Sequence, residues 1–360
     1  MQTVKIAIVG ETSPGERRVA LVPGLVSRLT DVGQEVAVEP GAGKAAGFTD
    51  DDYTEVGATV AADALDGAAA ALSVQPLAPA QARRLAPGAV TVSFLPTAQE
   101  LDLVATMRDA GLTALAMELV PRISRAQAMD ALSSQSFVAG YRAVLVAAER
   151  LPRFFPLAMT ASGTVPPARV LVLGAGVAGL QAIATARRLG AVVTGFDIRS
   201  AVKEQIQSLG ARFFEVEGLG DAEAEGGYAR ELTPEEQQIQ RDALSVQMGK
   251  SDVIVTTALV PGRPAPKLIP ASAVELMKPG SVIVDLAAEA GGNCELTKPG
   301  ETYTTDGGVK IAGPLNLPSE MAEHASSLYA RNILSLLELG FDPEDEVIAG
   351  ATVTREGKVV

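Results

Sequence analysis

Two stretches of this 360-residue chain hold side chains whose types and spacing could do chemistry. In "PRISRAQAMDALSSQS", residues 121–136, Arg122, Arg125, Gln127, Asp130, Ser133, Ser134, Gln135 and Ser136 crowd together, whereas most of the chain reads Ala, Val, Leu and Gly. That density of hydrogen-bonding groups suits holding a polar cofactor with a second reactant beside it. The second stretch is "GAGVAG", residues 174–179. Its G-x-G-x-x-G spacing directly follows the apolar run "RVLVL" and precedes "LQAIATARRLG", which reads as a helix, the context a dinucleotide turn requires. Gly174 allows the tight turn, Gly176 lets backbone approach a pyrophosphate, and Gly179 lets helix and strand pack closely. The helix start then offers N–H groups and partial positive charge to phosphates. Asp197 stands 18 residues beyond Gly179, at the end of the next apolar run. A carboxylate there accepts from adenosine ribose hydroxyls and repels a 2′-phosphate, so NAD(H) is expected rather than NADP(H), despite the nearby Arg199.

Composition removes several alternatives. His324 is the single histidine and Cys294 the single cysteine, so zinc sites and Ser-His or Cys-His catalysis are disfavoured and no internal disulfide can form. With 43 acidic and 30 basic residues the net charge is −13, which repels phosphate backbones and anionic lipid. Nucleic acid is therefore not an expected partner. No apolar run is long enough to cross a bilayer and the first residues read as a strand rather than a signal peptide, so a cytoplasmic location is expected.

The elements that must position these residues follow from alternation. "VKIAIVG" (4–10), "EVAVE" (35–39), "AALSV" (70–74), "AVTVSF" (89–94) and "LTALAM" (112–117) read as strands separated by helical stretches. A long helix is expected over 136–151, then a Pro-rich connector. A second alternation runs through "RVLVLG" (169–174), "AVVTGFD" (191–197), "ARFFEV" (211–216), "DVIVTT" (252–257), "SVIVDL" (281–286) and "VKIAG" (309–313). Continuous apolar strands between helices imply parallel sheets covered on both faces. The expected fold class is α/β, with two Rossmann-like doubly wound parallel-sheet domains flanking a cleft. The amphipathic tail at 324–340 is expected to return to the first domain. The boundaries are then 1–135 plus 318–360 for an N-terminal α/β domain, and 136–317 for a NAD(H)-binding Rossmann domain.

Other features carry less. A second glycine run, "GAGKAAG" (41–47), has one residue more before its third glycine and no long apolar helix directly behind it, and reads as a loop. Asp50, Asp51 and Asp52 read as a solvated helix start, Cys294 as a small buried residue, and His324 as solvated. Residues 217–245 form a long polar insertion, read as a lid with Gly226 and Gly227 as hinge and Tyr228 facing the ligand. Tyr228→Phe is expected to weaken NADH binding modestly. Leu259, in "TTALVPG" (256–262), is a candidate cofactor contact at a sheet's carboxyl edge.

Together "GERRVALVP" (15–23), "PGAGKAAGFTDDDY" (40–53), "MELVPRISRAQAMDALSSQS" (117–136), "GAGVAGL…GFDIR", "GGYAREL" (226–232), "TTALVPGRPAP" (256–266) and "VDLAAEAGGNCEL" (284–296) resemble one family over nearly the whole chain. It is the NAD(H)-binding component of proton-translocating nicotinamide nucleotide transhydrogenase, which shares ancestry with alanine dehydrogenase. The resemblance implies that Gln127 bridges NAD(H) and a second nucleotide, while Arg122, Asp130 and Ser133 fix the carboxamide and ring. It implies cofactor contacts from Ile123, Ser124, Arg125, Gly174, Gly176, Val177, Gly179, Asp197, Ile198, Arg199, Gly227, Tyr228 and Leu259. Further implications are NADP(H) on a partner domain, a membrane-spanning proton-channel subunit, a homodimer, and a place at the inner face of the membrane reached through those subunits. Alone, the chain would then not carry out physiological transhydrogenation. Hydride transfer between two nicotinamide rings needs alignment rather than an acid or base, so the lack of histidine costs nothing.

The alternative is an NAD-dependent alanine dehydrogenase. The lysine of that family falls at Val74, its histidine at Pro96 and its aspartate at Glu289, and without the first two the imine chemistry lacks a proton carrier. Arg17 or Arg18 could still bind a carboxylate. A NADH sensor is a third reading, and no effector domain supports it.

Overall fold

The computed structural model describes residues 4–218, 232–259 and 264–360. In chain order the strands are β1 (Lys5–Ile8), β2 (Glu35–Val38), β3 (Thr59–Val60), β4 (Ala70–Leu72), β5 (Val90–Ser93), β6 (Thr113–Ala116), β7 (Ala158–Thr160), β8 (Gly163–Val165), β9 (Arg169–Leu173), β10 (Val192–Phe196), β11 (Arg212–Phe213), β12 (Val253–Thr256), β13 (Val282–Asp285), β14 (Thr302–Thr304), β15 (Lys310–Ala312), β16 (Thr352–Arg355) and β17 (Lys358–Val359). The helices are α1 (Pro23–Thr30), α2 (Asp50–Glu55), α3 (Pro79–Ala82), α4 (Leu101–Asp109), α5 (Ala131–Arg150), α6 (Val177–Arg188), α7 (Lys203–Ser208), α8 (Pro234–Met248), α9 (Ala271–Glu275), α10 (Ala322–Leu337) and α11 (Glu346–Ala351). The chain divides into two compact units, residues 1–135 with 318–360, and residues 136–317.

The first unit is built on a sheet of order β17-β16-β6-β5-β4-β1-β2-β3, parallel except at β16 and β17. Its central strands are short and fully buried, as a sheet covered on both faces demands. One face packs Ile8, Leu21, Tyr53 and Leu72 with Tyr329, Ile333 and Leu336 of α10. The other packs Leu65, Leu95, Met107 and Leu112. Two buried tyrosines satisfy their hydroxyls on backbone: Tyr53 donates to Leu21 O and Tyr329 to Ser73 O. Helix α2 starts with a capping box, Thr49 accepting from Asp52 N and the Asp52 carboxylate accepting from Thr49 N.

The second unit has the order β11-β10-β9-β12-β13-β15-β14, parallel except for β14. Strand β9 lies between β10 and β12, with Leu171 opposite Thr194 on one side and Ile254 on the other. The chain leaves β9 toward β10 and later returns to β12, so the sheet's switch point lies between β9 and β12. Both units are thus doubly wound α/β sheets.

Four local details differ from the sequence reading. Helix α5 begins at Ala131, not 136, and residues 124–129 form a 3-10 helix, so the polar stretch is structured backbone rather than a loop. Asp130 explains the early start: its carboxylate accepts from Ser133 N, the third helical residue, as a cap does. The Pro-rich connector contains the antiparallel hairpin β7–β8. Within 217–245, residues 234–248 form α8, with Pro234 in the first turn and a Thr233–Glu236 capping box. Tyr228, Gly226 and Gly227 lie outside the described residues. The short strands β3, β14, β16 and β17 were not anticipated.

Candidate functional site: a dinucleotide turn and a polar helix start

The glycine turn sits at the switch point of the second unit. Gly174 follows β9 with φ +93°, a conformation L side chains rarely adopt. A Cβ on it would lie 2.8 Å from Thr257 Oγ1. Gly176 is the cap of α6, has no side-chain cap bond, and faces open space where its Cβ would be. Gly179 is the tightest position: a Cβ there would lie 1.8 Å from Gly174 O. The turn therefore requires glycine at two points and leaves clear approach at the third, which fits a pyrophosphate resting on the start of α6. Val177, the first residue of that helix, is exposed.

Asp197, just past β10, closes the turn from the side. Its Oδ2 accepts from Ala175 N at 2.8 Å, and its Oδ1 from Arg199 N at 3.0 Å. The Arg199 guanidinium reaches both oxygens, at 2.9 and 2.7 Å. Burial alone would raise this carboxyl, but the Arg199 and Ala175 hydrogen bonds outweigh it and hold the pKa below the ordinary value. The side chain is an ionised acceptor, as a ribose diol needs, and Arg199 is turned onto it. Ile198, half-buried, packs against the core. Leu259, beyond β12, is about half exposed, so it is not a core residue.

In the first unit the polar stretch gives a graded picture. Arg122, Ser124, Arg125 and Gln127 are exposed, and Ile123 packs partly on the core. Asp130 and Ser133 are brought together: Ser133 Oγ donates to Asp130 Oδ2 at 2.6 Å, beside the N–H bond. Arg125 holds the Asp345 carboxylate through two bonds of 2.9 and 3.0 Å. Asp345 also caps α11. Ser134 donates to Asn332 Oδ1, and buried Gln135 donates to Ala325 O, so part of the stretch anchors α10. Of its polar residues, those linked to α10 and α11 have a structural task that periodicity does not reveal.

The first unit has its own switch point, between β1 and β4, and an internal carboxylate fills it. Glu11 accepts from Val74 N and Gln75 N. Burial pushes its pKa up to about 7, against those two N–H bonds. Glu16 is desolvated too, but its bidentate pairing with Arg18 takes its pKa down to about 2. Arg18 is 3% exposed and also donates to Gln135 Oε1, so its guanidinium is committed to internal partners. Val74 is fully buried, Pro96 exposed, and Glu289 exposed, accepting from Asn316 N. The other glycine run, 41–47, forms a turn in which Gly41 N donates to Asp50 and a Cβ on Gly43 would strike Tyr53 at 2.7 Å. A carboxylate at its mouth suits no phosphate. Among the described residues no cluster of His, Cys, Asp and Glu could hold a metal, and no helix is long and apolar enough to cross a membrane.

Sequence reasoning passed over Thr257 and Asn293. The first stands in the "TTALVPG" motif with no role suggested by its spacing, and the second is a buried amide whose partners are distant in sequence.

Residues 7–139 match the model of the alanine dehydrogenase/PNT N-terminal domain, and residues 143–360 that of the C-terminal domain. The chain is 49% identical to the first portion of the NAD(P) transhydrogenase alpha subunit of Rhodospirillum rubrum, over 99% of this chain and 98% of that protein. It is 31% identical to alanine dehydrogenase of Halomonas elongata, over 99% and 94%. The crystal structure of a transhydrogenase from Sinorhizobium meliloti superposes with a TM-score of 0.88 at 42% identity, covering 99% of this chain and 98% of that one. With both of its domains matched in order, the chain belongs to the alanine dehydrogenase/PNT family.

Proposed function

We propose that the chain is the NAD(H)-binding component of a proton-translocating NAD(P) transhydrogenase. The observation that carries this reading is the glycine turn with its ionised Asp197, which fits a dinucleotide without a 2′-phosphate. The likeness to a transhydrogenase alpha subunit supports it. Bound NADH supplies a hydride at the nicotinamide ring, which passes to NADP+ on a partner domain. The chain's residues hold and orient. The start of α6 takes the pyrophosphate and Asp197 the adenosine ribose, with Val177, Ile198 and Leu259 beside the nucleotide. Arg122, Asp130 and Ser133 fix the carboxamide, Ile123, Ser124 and Arg125 support that stretch, and Gln127 reaches toward the second nucleotide. Gly227 and Tyr228, outside the described residues, are further cofactor contacts in this reading. The reading includes a membrane-spanning partner that moves protons, a homodimer, and attachment to the inner face of the membrane through those partners.

An amino-acid substrate is disfavoured because Arg18, the buried guanidinium of the "GERR" segment, already holds Glu16. The test is NADH oxidation under three conditions: with pyruvate and ammonia, with an NADP(H)-binding partner domain and an NADP+ analogue, and with that partner and Gln127→Asn. Turnover only with the partner, lowered about tenfold or more in the variant, is expected for a positioning role. Turnover with pyruvate and ammonia would overturn the proposal in favour of an amino-acid dehydrogenase.

A further inference from the structure

Behind the glycine turn lies a buried amide that no reactant would touch. Asn293 is fully buried, and its side chain uses all four of its hydrogen-bonding directions. Oδ1 accepts from Thr256 Oγ1 at 2.6 Å and Ala258 N at 3.1 Å. Nδ2 donates to Ala258 O at 2.8 Å and Pro266 O at 2.9 Å. One side chain thus grips the segment leaving β12 on both sides of Thr257 and also holds the chain where it returns at Pro266.

Thr257, the residue held between these contacts, meets the glycine turn. Its N–H donates to Leu173 O at 2.9 Å, and its hydroxyl lies 3.2 Å from Gly174 O. That hydroxyl occupies the space a Cβ on Gly174 or Gly179 would enter, at 2.8 and 3.2 Å. The turn is shaped on one side by its glycines and on the other by Thr257. Asn293 is itself placed by a rigid surround. Gly291 and Gly292 have φ of +94° and +79°, and Asp285 Oδ2 accepts from Cys294 N and Thr297 Oγ1.

We propose that Asn293 is a positioning residue for the dinucleotide site, setting Thr257 against Gly174 so that the glycine turn keeps the spacing a pyrophosphate needs. The inference rests on the proposed NAD(H)-binding reading. It concerns a residue that contacts neither nucleotide nor reacting atoms and acts through Thr257.

The probe is NADH, its affinity followed by the change in its fluorescence on binding to the full chain. Thr257→Val keeps the shape and removes the hydroxyl; it is expected to weaken NADH about tenfold, and Thr257→Ser to restore affinity to within about twofold. Asn293→Asp keeps the shape but turns a donor toward Ala258 O and Pro266 O into a charged acceptor. Asn293 adjoins Cys294 in the chain, and the charged groups that act on that thiol are Asp285 and Lys267, whose ammonium donates to Gly291 O. Burial raises the pKa of such a carboxyl, so at about pH 5.5 it is protonated and donates again, while at about pH 8 it does not. The expected profile is affinity about tenfold below wild type at the higher pH and partly recovered at the lower. Thermal unfolding of each variant, followed alongside, confirms that the folded chain is what is titrated. A wild type that fails to bind NADH overturns the NAD(H) reading and this inference with it. A wild type that binds, with Thr257→Val and Asn293→Asp binding equally well, overturns this inference alone. So does weakened binding without recovery in Thr257→Ser or at low pH, because loss of fold alone would act that way.

Discussion

Gly179 shows how much a single residue can decide. A methyl group there would collide with the Gly174 carbonyl at 1.8 Å, and because that oxygen is backbone, relief requires the start of α6 to move away from β9. Gly179→Ala is expected to reduce NADH affinity by more than tenfold, since the phosphate contacts depend on that approach; unchanged binding in a calorimetric titration would remove the turn from the site. Glu11 is decided by burial rather than contact. Its folded pKa is raised to about 7, so the folded state favours the proton. Its contribution to stability is therefore full below the unfolded carboxylate value and is lost as pH rises through about 7. Glu11→Gln mimics the protonated form. The variant should gain roughly 1–3 kcal/mol over wild type at pH 8 relative to the difference at pH 5, read by denaturant unfolding. The same gain at both pH values would mean that Glu11 does not titrate in that range. The glycine fingerprint and Asp197 were legible because each rests on local spacing. Asn293 was not, because its partners at 256, 258 and 266 are close only after folding.

At the scale of elements, the parallel strands were readable because buried strands are rich in Val, Ile, Leu and Ala. Edges were harder. Strands β14 and β17 are short, exposed or partly so, and antiparallel, β16 is buried but short and antiparallel, and hairpin β7–β8 hides among prolines and small residues. The start of α5 was misread because Ser133, Ser134 and Gln135 look like loop residues, whereas Asp130 ahead of them is a cap. Helix α10 gives a direct test of an element's role. Its fully buried Ile333 belongs to the same core cluster as Ile8 and Leu72. Ile333→Ala should destabilise the first unit by about 2–5 kcal/mol, the usual cost of such a cavity. A loss below about 0.5 kcal/mol in denaturant unfolding would mean that the helix is dispensable to that core.

For the molecule as a whole, composition was informative mainly by exclusion: one histidine and one cysteine leave little room for acid–base or thiol chemistry. Family membership, and the order of the two matched domains, could be read from long motifs occurring in sequence. The committed state of Arg18, which bears on substrate class, could not, since "GERR" does not say which arginine turns inward. The first unit draws on both ends of the chain, taking α10 and α11 from beyond residue 317 and its last two strands from 352–359, while the second is continuous from 136 to 317. During synthesis, then, every residue of the second unit leaves the ribosome before the first unit has its full core. The opening 135 residues must wait, with the apolar face that α10 later covers still open, until the ribosome has finished a neighbour that lacks nothing.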